Sequence, residues 1–121
     1  MEGELRVTLT PRLFVGEEKC FGRGPERLLE AIDRTGSLKG AAAELNMAYS
    51  RAWTILRSCE KALGFPILER KAGGRGGGRC SLTDRGRDLL IGYRRMEEEL
   101  ERHAQTLAKK LLFPEDREER V

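Results

Sequence analysis

Residues 37–53, Ser37-Leu38-Lys39-Gly40-Ala41-Ala42-Ala43-Glu44-Leu45-Asn46-Met47-Ala48-Tyr49-Ser50-Arg51-Ala52-Trp53, decide the architecture. Ser37 suits the cap of a helix, because its hydroxyl can accept from one of the first orphan N–H groups. The helix it opens, about Leu38 to Leu45, carries three consecutive alanines, so a second helix can approach closely. Asn46-Met47 is a short turn, and Asn tolerates the sharp backbone found there. A second helix then runs from about Tyr49 to Leu63 and stops at Gly64. Ala52, Ile55, Leu56, Cys59 and Leu63 fall on one stripe of it at helical spacing. Ser50, Thr54, Arg57 and Lys61 fall on the opposite side, with Arg51 and Trp53 on the edges. Two helices joined by so short a turn cross one another, and the outer face of the second is free to enter a groove.

Upstream, Pro25 sits well in the first turn of a helix, where its missing N–H costs nothing. Leu28, Leu29 and Ile32 give that helix an apolar face, and Thr35-Gly36 ends it near Arg34. Before it, Leu5/Val7/Leu9 and Leu13/Val15 alternate with polar residues, the period of a strand, interrupted at Pro11. Gly16-Glu17-Glu18 reads as a turn, and Lys19-Cys20-Phe21 as the returning strand, so a hairpin is expected over residues 5–21. Downstream of Pro66, Ile67–Lys71 and Arg79–Leu82 read as two short strands around the Gly-rich tip Ala72-Gly73-Gly74-Arg75-Gly76-Gly77-Gly78. Thr83 caps a last helix, about Asp84 to Phe113, which Pro114 terminates. At 1.5 Å per residue it spans roughly 45 Å.

The fold class expected from this order is mainly α with a small β component: a winged helix-turn-helix with an N-terminal β-hairpin and a long C-terminal helix. Residues 1–83 form the winged domain, with the helix-turn-helix at 37–63 and the wing at 67–82. Residues 84–113 form the long helix, and 114–121 a disordered tail. Among the 121 residues, 39% are hydrophobic and 36% charged, enough for one modest core under a highly charged surface.

Charge is unevenly placed. Residues 34–87 carry eleven basic and four acidic side chains, whereas residues 1–33 and 97–121 are each net acidic. A basic middle points to a polyanionic partner. The three cysteines, Cys20, Cys59 and Cys80, form no C-x-x-C pair and suggest a reducing cytoplasm rather than a disulfide framework. Met1-Glu2-Gly3-Glu4 is too acidic for a signal peptide, and no apolar run approaches the roughly 20 residues of a membrane span.

The chemistry of the basic middle follows from residue type. Arg57 and Arg51 can donate two bonds to a guanine edge, while Ser50 and Thr54 reach bases or phosphates. Tyr49 opens the recognition helix and Trp53 flanks it; Ser37 and Lys39 start the helix before it. Lys71, Arg75 and Arg79 bring charge to the wing, whose glycines let the backbone lie close to a phosphate strand. Double-stranded DNA is therefore the expected partner. Gly73-x-x-x-x-Gly78 is followed by Arg79-Cys80 where a P-loop needs Lys and then Ser or Thr, so nucleotide binding is not expected. Neither a metal site nor a cofactor nor a catalytic constellation is expected: Cys59, Cys80 and His103 lack ligand spacing, and His103 is the only histidine.

The same residues carry a resemblance. Leu28-Leu29-x-x-Ile32-x-x-x-Gly36-Ser37, the run Ala41–Met47, Tyr49-x-x-Ala52-Trp53, Glu69-Arg70-x-x-Gly73-Gly74-x-Gly76-Gly77-Gly78 and Leu82-Thr83-x-x-Gly86-x-x-Leu89-Leu90 resemble the N-terminal DNA-binding domain of ModE-type molybdate-responsive regulators over residues 5–112. More distantly they resemble the LysR-type helix-turn-helix, which shares the first, second and last of these pieces. The resemblance implies a dimeric transcription factor at palindromic DNA, with residues 49–63 as recognition helix and 71–80 as wing. Ala48 stands where the family usually has a Ser that caps that helix. Ser50 stands where it often has a basic residue, and the charge moves to Arg51. Full-length members continue into a molybdate-binding domain; the residues after Phe113 are not expected to supply one, and no small-molecule effector is expected within this chain.

In the last helix, Tyr93, Met96, Leu100, His103 and Leu107 repeat at spacings of three and four, with Leu111 nearby, the pattern of a coiled-coil seam. A homodimer through these residues is expected. The leading function is thus a cytoplasmic, sequence-specific transcriptional regulator that is not an enzyme. The alternative is a winged-helix protein-interaction module without specific DNA binding.

Overall fold

The computed structural model describes residues 2–70 and 79–115. The chain forms two compact units: residues 11–93, and the first ten residues together with the chain from Arg94 onward.

In the larger unit, β1 (Leu13–Val15) and β2 (Glu18–Phe21) make an antiparallel hairpin, with Leu13 opposite Phe21 and a bulge between Leu13 and Phe14. Gly16 turns the chain at a φ of 60°, a left-handed conformation that glycine adopts without steric cost. Cys20 and Phe21 enter the core while Phe14 and Val15 stay exposed. Helix α1 (Arg23–Thr35) follows, beginning two residues earlier than Pro25 alone suggests. Pro25, Leu28, Leu29, Ala31 and Ile32 form its buried face. Gly36 closes it at a φ of 78°, its N–H donating to the Ile32 carbonyl at 2.7 Å, the left-handed ending that satisfies an orphan carbonyl.

Helix α2 (Leu38–Glu44) starts as expected: the Gly40 N–H donates to Ser37 Oγ at 2.8 Å. Ala41 and Ala42 are buried and Ala43 is exposed, so two of the three alanines carry the close approach. Asn46 takes a φ of 54°, which lets the chain reverse within the short turn. Helix α3 (Tyr49–Leu63) has the expected bounds and ends at Gly64, φ 84°. Ala52, Leu56 and Cys59 are buried; Ile55 and Leu63, at the edge of the same stripe, are half-buried.

β3 (Leu68–Arg70) and β4 (Cys80–Leu82) form the antiparallel base of the wing, with Leu68 opposite Leu82. β4 is also tied to the turn between α1 and α2. Cys80 N–H donates to the Gly36 carbonyl at 3.0 Å, and Ser37 bridges Arg79. Thr83 caps α4 (Asp84–Leu112) by accepting from the Gly86 N–H at 3.0 Å. Phe21, Leu28, Leu29, Ile32, Leu56 and Ile67 are completely buried and form the centre of the core. Each contributes roughly 1.5–3 kcal/mol by leaving water.

Tyr93, expected on the seam of the last helix, belongs instead to this core. It is 3% exposed. Its ring meets Phe21 edge-on at 5.1 Å, and its hydroxyl donates to the Pro11 carbonyl at 2.7 Å. Heptad spacing places a residue on a helix face but does not say what covers that face.

The smaller unit corrects the hairpin. Residues 5–9 belong to no strand. They run along the distal part of α4, whose side chains satisfy their backbone. Val7 N–H donates to Gln105 Oε1 at 3.0 Å and Leu9 N–H to Glu101 Oε2 at 3.1 Å, while Gln105 Nε2 donates to the Leu5 carbonyl. The period-two pattern correctly marks one half-buried face, Leu5, Val7 and Leu9. Its neighbour is a helix, not a second strand. Of the tail expected at 114–121, Pro114 and Glu115 are described and exposed, and the rest lies outside the described residues. No helix among the described residues is long and apolar enough to cross a membrane.

Two measurements check this packing. A Cβ on Gly86 would stand 2.3 Å from the Ile67 carbonyl oxygen, a backbone atom that cannot move alone. Gly86→Ala should therefore cost at least about 1–3 kcal/mol in urea unfolding; an unchanged midpoint contradicts the packing. Burial, and secondarily the neighbouring Cys20, push the Cys59 thiol from 9.0 up to about 11. The unfolded chain then ionises this thiol while the folded chain still holds it protonated. Stability should be insensitive to this group below pH 9 and fall from pH 9 to about 11. A Cys59→Ala variant should lack that component of the fall.

Candidate nucleic-acid interface

The outer face of α3 is where the basic residues gather. Tyr49, Ser50, Arg51, Thr54, Arg57 and Lys61 are exposed along it, and Trp53 is half-buried at its edge. The helix starts without a side-chain cap, since Ala48 has no oxygen to offer. The first-turn N–H groups of Tyr49, Ser50 and Arg51 thus lie at the positive end of the helix with no side chain of the cap residue upon them, a disposition that favours a phosphate oxygen. Thr54 Oγ donates to the Ser50 carbonyl at 2.9 Å, which leaves the hydroxyl oxygen able to accept.

Trp53 organises the two guanidinium groups nearest to it. Arg57 lies 5.3 Å from its ring centroid and Arg70, from β3, lies 3.9 Å away. Stacking engages the flat face of a guanidinium and leaves the N–H donors around its rim available. Trp53 is therefore not itself required to touch a base. It fixes arginines from two different elements beside one another, in spite of their like charge. A similar pair, Arg85 over Phe65 at 3.6 Å, lies beyond the end of α3. Trp53, Arg57, Lys61 and Phe65 line an open groove of about 800 Å³ on this side.

A second group comes from the start of α2 and the wing. Lys39 is exposed in the first turn of α2, and the backbone bridge between Ser37 and Arg79 sets the exposed Arg79 beside that turn. Ser37 accepts from Gly40, so its first role is to hold α2. Lys71 and Arg75 of the wing tip lie outside the described residues.

Glu60 was not among the residues the sequence singled out. It sits on α3 one turn past Arg57, and its Oε2 accepts from the N–H of Ile67 at 2.8 Å and of Leu68 at 3.3 Å. This carboxylate holds the beginning of the wing to α3. In sequence it looks like one more solvated charge. The only available hint was that an acidic residue interrupts a basic face seven residues before a strand.

Residues 27–87 match the family described as bacterial regulatory helix-turn-helix protein, lysR family. The chain belongs to this family. Within it, the chain is similar to the molybdenum transport protein ModE of Azotobacter vinelandii, 39% identical over 70% of this chain and 32% of that protein. It is also similar to the molybdenum-pterin-binding protein MopA of Rhodobacter capsulatus, 38% identical over 59% of this chain and 27% of that protein. The transcriptional regulator ModE of Haemophilus influenzae is 33% identical over 77% of this chain and 34% of its own length. The chain thus spans about a third of the length of these relatives. The matched region of this lysR-family chain runs from α1 to the start of α4 and contains the whole of α2, α3 and the wing base. The fold is a winged helix-turn-helix.

Replacing Glu60 with Ala would leave the N–H of the fully buried Ile67 without its acceptor, a cost of about 1–3 kcal/mol. Glu60→Ala should lose that much in chemical denaturation and also weaken DNA binding by displacing the wing. Glu60→Gln, which keeps a side-chain oxygen acceptor, should recover most of both. Equal loss in the two variants would mean that charge rather than the two hydrogen bonds is what counts.

Proposed function

We propose that the chain acts as a cytoplasmic homodimer that binds specific operator DNA and regulates molybdenum-related genes. In this reading α3 lies in the major groove. Arg57 and Arg51 read base edges, and Ser50 and Thr54 read bases or hold phosphate. Lys39, Tyr49 and Lys61 flank the groove, and Arg79, with Lys71 and Arg75 of the tip, grips the backbone. The observation that carries the reading is the Arg57–Trp53–Arg70 cluster: it presets donors from recognition helix and wing on one face. Such presetting reduces the ordering cost of binding. The molybdenum connection is supported by the names of the relatives.

The dimer is supported by the exposure of Leu100, Leu107 and Leu111 at 41%, 39% and 67%. With half-buried Met96 and exposed His103, they retain the seam once Tyr93 is removed from it. The reading assigns DNA contact, not effector binding, to the described residues.

The test is a gel shift on the DNA upstream of the protein's own gene and on random DNA, across salt concentration. Affinity should fall by about 0.9 log units per log unit of salt for each phosphate neutralised. Arg57→Ala should cost about 1–3 kcal/mol on the specific site and much less on random DNA. Arg79→Ala should weaken both about equally. Equal losses on both DNAs for Arg57→Ala would remove it as a base reader, and salt-insensitive or absent binding would overturn the DNA reading of this face.

A further inference from the structure

We propose that the groove along α3 is a track for the sugar-phosphate backbone of one DNA strand, and that Arg85 of α4 is the phosphate contact at its far end. The proposal rests on the DNA reading above and extends it to an element outside the helix-turn-helix and the wing. It starts from how the arginines of the larger unit are held. Arg34 and Arg87 are each bonded to a carboxylate, that of Glu44 and Asp33 respectively. Arg57, Arg70 and Arg85 have no such partner among the described residues, and each lies over an aromatic ring instead. Arg85 is exposed in the first turn of α4, the end of a helix where a positive charge is unfavourable. Its guanidinium lies 3.6 Å from the centroid of the Phe65 ring. The stack fixes the plane of the guanidinium and leaves the N–H donors at its rim, where a phosphate accepts from two of them at once. Arg87, two positions on, is engaged by Asp33 at 3.0 Å. Of two neighbouring arginines, one is neutralised within the fold and the other is held in place with its donors open.

The groove joins this arginine to the rest of the basic face. It runs along α3 from Trp53, on which Arg57 and Arg70 stack, to Phe65 and Pro66. From Trp53 to the last residue of α3 the helix rises roughly 15 Å, about the axial rise of four base pairs. The two stacks therefore suit successive phosphates of one strand rather than a single ion. Glu60 is the one carboxylate of the lining, and its Oε2 already accepts from the N–H groups of Ile67 and Leu68. Asp84 and Asp88, beside Arg85 on α4, form no ion pair with it among the described residues. The lining thus offers an occupant cations and hydroxyls, the donor set that a phosphodiester chain takes. An acidic peptide would meet the same cations. Continuity favours DNA: Thr54, Arg57 and Lys61 belong both to the groove and to the exposed face of α3, so one ligand covers both.

Fluorescence anisotropy of labelled duplex DNA, titrated with the full chain across salt concentration, tests it. Both the fragment upstream of the protein's own gene and a random duplex are used. Arg85→Ala should reduce the slope of log affinity against log salt by about 0.9, the share of one phosphate, and weaken both DNAs by the same factor. Arg87→Ala removes an equal charge from the same stretch of α4, but one already neutralised by Asp33, and should leave the slope unchanged. Phe65→Leu keeps Arg85 and removes its platform. Its slope should stay, with affinity lower by roughly 2- to 12-fold for the ordering of one more side chain. Salt-sensitive binding by the unsubstituted chain together with an unchanged slope in Arg85→Ala overturns the track and leaves the DNA reading of α3 standing. A polyglutamate peptide that binds the unsubstituted chain but not Arg85→Ala would in that case assign the groove to a protein partner. Equal loss of slope in Arg85→Ala and Arg87→Ala also overturns the track, since net charge then accounts for both. An unsubstituted chain that binds neither duplex overturns both readings.

Discussion

The backbone of Ile67 is the joint on which the larger unit depends. Its side chain is completely buried. Its N–H is taken by Glu60 of the recognition helix, and its carbonyl accepts from the Thr83 N–H at 3.0 Å. The same carbonyl lies against Gly86, at a position where a Cβ would overlap it. One residue thus meets the recognition helix, the wing and the start of the last helix. A buried peptide group must be satisfied on both sides, and here each side is satisfied by a different element. The angle between wing and α3 is consequently set by hydrogen bonds rather than by apolar contact alone, which is less directional.

Legibility in the sequence follows the range of the forces involved. The bounds of α3, the Ser37 cap, the left-handed Gly36 and Gly64 and the positive φ of Asn46 are decided by neighbours within a few positions. Each follows from side-chain chemistry or steric freedom at one residue. The wing base was legible because two short apolar strands flank a run of glycines. The basic face of α3 was legible because helical period alone sorts Ser50, Thr54, Arg57 and Lys61 from the buried stripe.

What escaped was decided between elements. The alternation of Leu5, Val7 and Leu9 announces an extended chain with one covered face, but is silent about what satisfies its backbone. Glutamine and glutamate side chains nearly a hundred residues away do so. Tyr93 fits a heptad and also fits a core, and the deciding fact is the Pro11 carbonyl that its hydroxyl meets. Glu60 went unremarked, because nothing local shows that two N–H groups approach from seven and eight residues on. In all three cases a polar group finds a partner on another element, which a periodic reading of apolar residues does not register.

The two arginines at Trp53 show how stability and recognition share one arrangement. Guanidinium groups on adjacent elements repel, and a basic surface carries that repulsion in the free protein. The indole face offsets it, because its negative quadrupole attracts both cations. Arg57 therefore belongs at once to the exposed basic face of α3 and to the contact between α3 and β3. A residue that only read bases would leave the free fold unchanged when removed. One that only stiffened the fold would weaken every DNA sequence alike. At Arg57 the ring contact and the free donor rim are separate parts of one group, so both effects can coexist, and each leaves its own mark on stability or on sequence discrimination.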